Sequence, residues 1–179
     1  MHIQHSRPCH KKWTDKKKMV LNEKKTKVMI FNFSKNSQFT TDIKLKGETL
    51  DVVDEAKLLG TIITNDMKWN KNTQQIVKNA NVKMKMLHIA SKFIGNKNDL
   101  LHIYKTFIRS RLEYSCVLWH SNLSKTNVTD IERVQKSALK VILKDEYCDY
   151  EHALKVLDLE SLYERRSRLC LKFAKSVLS

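Results

Sequence analysis

Between Leu100 and Leu143 two apolar stripes follow one another, and neither can be left facing water. In the first, Leu101, Tyr104, Ile108, Ser115 and Trp119 recur at spacings of three, four and seven. That period places them along one face of a helix. In the second, Val128, Ile131, Val134, Ala138 and Ile142 repeat the pattern. Its start has two candidates: Ser124, or a capping box made by Thr129 and Glu132. The polar residues 121–127 between the stripes are short enough to join antiparallel helices. Each stripe is therefore expected to cover the other.

The flanks extend this reading. Residues 70–94 predict a long helix with Ile76, Ala80, Met84, Leu87, Ala90 and Ile94 on its apolar side. After Asp149 come a short helix around Ala153 and Leu157 and a longer one opened by Ser161, with Glu164 three residues on as a capping box. Leu162, Arg166, Leu169, Phe173 and Val177 share one side of it, and Tyr163 and Phe173 are expected to complete the core. Upstream the period changes. Residues 27–33 are a β-rich run, residues 39–46 alternate around Ile43 and Leu45, Gly47-Glu48 marks a turn, and residues 58–64 supply a strand with Gly60 inside it. The expected fold class is α+β, predominantly α, with a small antiparallel sheet followed by an antiparallel helical bundle. Its expected parts are a basic N-terminal arm (1–18), a β-rich segment (19–66) and a helical domain (67–179).

Charge says more about partners than any single residue does. The chain carries 34 Lys and Arg against 19 Asp and Glu, a formal +15. So basic a domain most often meets a polyanion. The excess is concentrated, since residues 1–35 hold ten cations against two acids and residues 67–97 hold seven Lys and no acid. Within the long helix Lys71, Lys78, Lys85 and Lys92 repeat every seven residues, so they form one ridge opposite the apolar stripe. Arg133, Lys136, Lys140 and Lys144 form a second ridge on the helix after Asn127. These eight residues are the candidate nucleic-acid contacts, and ordinary solvated helix faces are the alternative reading. Few aromatic residues share those faces, so contact with phosphates rather than bases is expected.

Several other chemistries find no support. No apolar run approaches the roughly 18 residues that span a membrane, and residues 1–13 lack the apolar core of a secretion signal. An intracellular setting is expected. The four cysteines are scattered without a CxxC pair, which suits a reduced compartment, and Cys116 and Cys170 fall where small buried residues fit. His2, His5, Cys9 and His10 lie close together in the arm, but no second cluster completes a four-ligand site, so no metal is assigned. There is no glycine-rich phosphate loop, nucleophile elbow or helical His-Glu-x-x-His.

The run Tyr104-Lys-Thr-Phe-Ile-Arg-Ser-Arg-Leu-Glu-Tyr114, then Trp119, then Ile131-Glu-Arg-Val-Gln-Lys136, resembles the region after the palm in reverse transcriptases of non-LTR retrotransposons, especially jockey-type elements. Asn22, Lys25 and Thr26, followed by Met29 and Phe31, resemble the late palm segment of those proteins. Leu59-Gly60 with Trp69 resembles the next segment, and Ser161-Leu-Tyr-Glu-Arg-Arg166 the tail. The resemblance runs from about Trp13 to Val177. It implies that residues 19–66 are a palm remnant and residues 67–179 a thumb-like domain of an RNA-directed DNA polymerase. Such a polymerase holds two magnesium ions on aspartates, two of them adjacent. No Asp-Asp pair occurs in the chain, and Asp54-Glu55 and Asp145-Glu146 lack the flanking strand pattern. In family order those aspartates would precede Trp13, so no catalytic residue or cofactor is assigned and polymerisation by the chain alone is not expected. What the resemblance and the charge together imply is non-sequence-specific binding of RNA, DNA or their hybrid, in a nuclear or cytoplasmic ribonucleoprotein. The alternatives are an interaction module that docks on a separate palm or host protein, and an inactive element relic.

Overall fold

The computed structural model describes residues 16–18, 20, 22–32, 42–45 and 47–178. Two compact units divide at Ala56 and Lys57. The arm's histidines and Cys9, with all of residues 1–15 and 33–41, fall outside the described residues.

In the first unit, Asn22 caps a single 3-10 turn, Glu23–Lys25, by accepting from the Lys25 amide at 3.2 Å. Strand β1 (Lys27–Val28) pairs in parallel with β4 (Asp51–Val52). The Lys27 ammonium reaches the Asp51 carboxylate at 2.8 Å. β2 (Lys44–Leu45) and β3 (Glu48–Thr49) form an antiparallel hairpin around Gly47, whose φ of +93° suits glycine. The expected turn is therefore present. The expected single sheet is instead a set of separate two-stranded ladders, one of them parallel.

The second unit opens on a hairpin of β5 (Glu55–Leu58), whose last two residues begin this unit, and β6 (Thr61–Thr64). Gly60 sits in its turn rather than inside a strand. Leu59 and Gly60 have φ of +47° and +89°, the pattern of a two-residue type I′ connection.

Helices fill the rest. They are α1 (Asn70–Phe93), α2 (Lys97–Ile103), a π-helical stretch (Tyr104–Arg109), α3 (Ser110–Glu113), α4 (Cys116–Trp119), α5 (Lys125–Leu143), α6 (Tyr150–Val156) and α7 (Leu162–Leu178). The chain is thus α+β and predominantly helical, as its periodicities predict. Ile76, Ala80, Met84 and Leu87 of α1 are buried, as are Ile131, Val134, Ala138 and Ile142 of α5.

Two expectations need correction. The first stripe is not one regular helix: α2 runs through the π-helical stretch into α3, then breaks at Ser115, which adopts a left-handed φ of +52°. A π turn holds an extra residue, so the buried face moves on and Leu112 and Cys116, not Ser115, reach the core. Nor do the two stripes chiefly cover each other. α5 packs most extensively on α1, and the segment 97–113 packs against α1 as well.

The capping alternatives resolve in favour of Ser124, whose hydroxyl accepts from the Asn127 amide at 3.2 Å. Thr129 bonds back to the Lys125 carbonyl. The Ser161–Glu164 capping box forms as predicted, with the Glu164 amide donating to Ser161 Oγ and Glu164 Oε2 accepting from the Ser161 amide. α7, however, buries its stripe only at the start. Leu162 and Arg166 are fully buried and Leu169 half-buried, while Phe173 is 53% exposed and Val177 more so. Tyr163 is also half-exposed, its ring packed on His120 at 5.1 Å.

Candidate nucleic-acid interface

α1 owes its length to an uninterrupted apolar period and to the absence of Gly and Pro between Asn70 and Phe93. Lys71, Lys78, Lys85 and Lys92 all stand on its exposed side. Over the 21 residues from first to last, the ridge extends about 32 Å. That is the length of roughly nine nucleotides of one strand at about 3.4 Å each.

The second ridge lies on α5 and just beyond its end. All four of its members are exposed, yet each has a partner within the fold. Arg133 pairs with Asp130 at 2.9 Å. The Lys136 ammonium lies 4.9 Å from the centre of the Tyr150 ring, and that of Lys140 5.3 Å from the Tyr147 ring. Such cation–π contacts leave the charge at the surface but fix its position. Lys144, at the end of α5, donates to the Ser91 carbonyl at 2.8 Å.

Three of the eight cations come together. Lys78, Lys85 and Arg133 border an open groove of about 690 Å³ between α1 and α5, floored by Val77 and Val134. Asp130 is the one acid along it. Lys136 and Lys140 do not line this groove, nor do Lys71 and Lys92. The motif residues of the first unit are joined locally: Asn22 caps the Lys25 amide, and Thr26 Oγ1 donates to the Asn22 carbonyl at 2.8 Å. This turn is held by its own hydrogen bonds and leaves the Lys25 side chain exposed.

Beneath the basic face lies a polar network that periodicity does not reveal. The Tyr104 hydroxyl donates to Gln135 Oε1, and the Gln135 amide donates to the Tyr150 hydroxyl at 2.8 Å and to the Glu160 carbonyl at 3.1 Å. The Tyr150 hydroxyl donates to Glu132 Oε1 at 2.5 Å, which also accepts from the Leu162 amide. Burial pushes both tyrosine hydroxyls far above their usual range. Glu113 receives Arg165 at 2.5 Å, with Arg109 at 3.9 Å. Arg165 and Arg168 both reach Glu160, and the Arg168 bond holds that carboxyl below its usual range. Arg166 is fully buried, stacked on Trp119 at 5.7 Å and donating to His120. Tyr104, Glu113, Trp119, Glu132, Gln135 and Arg166 are among the residues on which the family resemblance rests. Their work in this fold is to join α2–α3, α5 and α7.

Among the described residues no three His, Cys, Asp or Glu side chains converge as a metal site would require, and no helix is long and apolar enough to cross a membrane. Burial pushes the Cys116 thiol up to about 11, away from the reactive thiolate. Compared with known proteins, the chain matches no family model, no curated protein and no solved structure.

Proposed function

We propose that this chain binds the backbone of RNA, DNA or their hybrid, without sequence readout, through the outer face of α1 and the adjoining edge of α5. The observation that carries the reading is the convergence of Lys78, Lys85 and Arg133 on one groove between α1, which carries no acid, and α5, whose Asp130 pairs with Arg133. Flexible ammonium groups in a row follow a phosphate chain without reading bases, because every phosphate looks alike to them. The motif resemblance supports placing the chain as the end of a palm and a thumb-like region of a non-LTR retrotransposon reverse transcriptase. Such a region grips template and primer while the chemistry belongs to aspartates and magnesium elsewhere, so binding without polymerisation is the activity proposed, in an intracellular ribonucleoprotein. Replacing Lys78 and Lys85 together by Glu tests it. Duplex affinity should fall at least about tenfold and the salt slope should flatten by about two. Unchanged affinity would contradict the groove assignment. Both side chains are exposed, so thermal stability should move by less than about 0.5 kcal/mol.

A second reading has its own observation. Val82, Met86, Ile89 and Phe93 lie in line on α1 at spacings of four, three and four, and all are exposed. Lysines flank this line and acids are absent from the helix, so two copies of α1 would repel each other. The surface matches a protein partner that presents an apolar ridge flanked by carboxylates. A chain that stays monomeric alone but binds an acidic amphipathic peptide, and not nucleic acid, would favour this reading.

A further inference from the structure

Between α1 and the segment 106–114 lies a second cleft, lined by Lys83, Thr106, Phe107, Ser110, Arg111 and Tyr114. It is unlike the groove above it in chemistry. Phe107 is 45% exposed and Tyr114 50%, two aromatic rings offered to solvent beside two cations, with no acid along the lining. A large aromatic side chain left half in water forgoes part of its burial energy, so two in one cleft ask for an explanation.

The backbone around this cleft is irregular in the same place. The π-helical stretch Tyr104–Arg109 carries Thr106 and Phe107 to it, and the turn is closed by Ser110 Oγ donating to the Thr106 carbonyl at 2.5 Å. Such π turns are uncommon and concentrate at functional sites. One residue beyond Tyr114, Ser115 is held left-handed. The Tyr114 hydroxyl donates at 2.6 Å to the carbonyl of Leu59, itself at a positive φ. This bond fixes the ring's orientation while leaving half of it open.

We infer that this cleft takes an unpaired nucleobase of a single-stranded nucleic acid, stacked on Phe107 and bordered by Tyr114, with the neighbouring phosphates held by Lys83 and Arg111. The inference rests on the nucleic-acid reading above and adds a base-contacting site to it. Stacking suits any base, because each has a π face, so the site distinguishes single strands from duplex and not one sequence from another. It lies away from the two basic ridges, for which contact with phosphates remains the expectation.

The test compares a 12-nucleotide single strand with the same sugar–phosphate chain lacking all bases, by fluorescence anisotropy on the full chain. Both carry the same charge. The wild-type protein should prefer the base-bearing strand about tenfold, and Phe107→Ala should erase that preference while leaving affinity for the abasic strand within about twofold. Tyr114→Phe, which keeps the ring, should retain most of the preference. Equal wild-type affinity for the two strands, with salt-sensitive binding of both, would overturn the base site and leave the backbone groove standing. Failure to bind either strand would overturn both. A Phe107→Ala variant that keeps the wild-type preference would also overturn the assignment. Phe107 is half-exposed, so an unchanged melting temperature is the expected control.

Discussion

Leu59 holds a backbone conformation that asparagine or glycine would hold with less strain. Its φ of +47° costs a branched residue about 1 kcal/mol or more, and its side chain is largely exposed. Leu59→Asn should therefore raise stability by about 1 kcal/mol, read as a higher melting temperature; a lower one would mean the leucine packs in a way its exposure does not show. A second residue-scale prediction concerns His120. Arg166 Nε donates to its Nδ1 at 3.3 Å, so the ring's proton sits on Nε2, 2.9 Å from Ser167 Oγ. Burial first, and the Arg166 charge second, hold this imidazole below its ordinary value of 6.5. The unfolded chain thus takes up a proton near pH 6.5 that the folded one refuses until lower pH. Stability should be full above that value and fall as pH drops below it. His120→Gln should flatten this part of a stability–pH curve, and an unchanged slope would remove His120 from the account. The third is Glu132, whose Oε1 accepts from Tyr150 and Leu162, and whose charge is the leading one favouring buried Arg166. Glu132→Ala should cost about 3 kcal/mol in chemical denaturation, and a cost under about 1 kcal/mol would mean water replaces it.

At the scale of elements, burial along α7 makes a graded prediction. Leu162→Ala should cost about 2–5 kcal/mol, because its site is closed on all sides. Phe173→Ala, on the same stripe about three turns on, should cost less than about 0.5 kcal/mol. Comparable losses would show that the distal half of α7 packs against something. This helix also illustrates what the sequence conveys and what it withholds. Period 3.6 announces that Leu162, Arg166, Leu169, Phe173 and Val177 share a side, but not how far the neighbouring helix extends to cover it. The positions of α1, α5 and α7 and the cap at Ser161 follow from local chemistry and were legible, while Ser124 stood as one of two candidate starts for α5. The π-helical stretch was not, because an apolar stripe passes through it with little change in spacing. The same limit applies to the candidate site. Lys78, Lys85 and Arg133 could be named from their helix faces, but their meeting across one groove depends on α1 pairing with α5. The cleft at Phe107 depends on a backbone irregularity with no sequence signature. Gln135 and Arg166, polar residues on apolar stripes, were the one visible hint of the buried network.

For the molecule as a whole, charge and core are built from opposite sides of the same helices. The buried faces of α1, α5 and α7 make the bundle, and the exposed faces of the same helices carry eleven of the chain's 34 lysines and arginines. Each helix is long enough to offer both, which is why a formal +15 on 179 residues coexists with a closed core. The charge is expected to act in proportion to the number of phosphates it meets, since binding of this kind is driven by release of counterions. The most direct measurement is therefore the affinity of the full chain for an RNA–DNA hybrid and for duplex DNA across a salt series. If about five phosphates are engaged, the logarithm of affinity should fall against the logarithm of salt with a slope near −4 on duplex. Weak binding at every salt concentration, or a slope near zero, would contradict the proposed function.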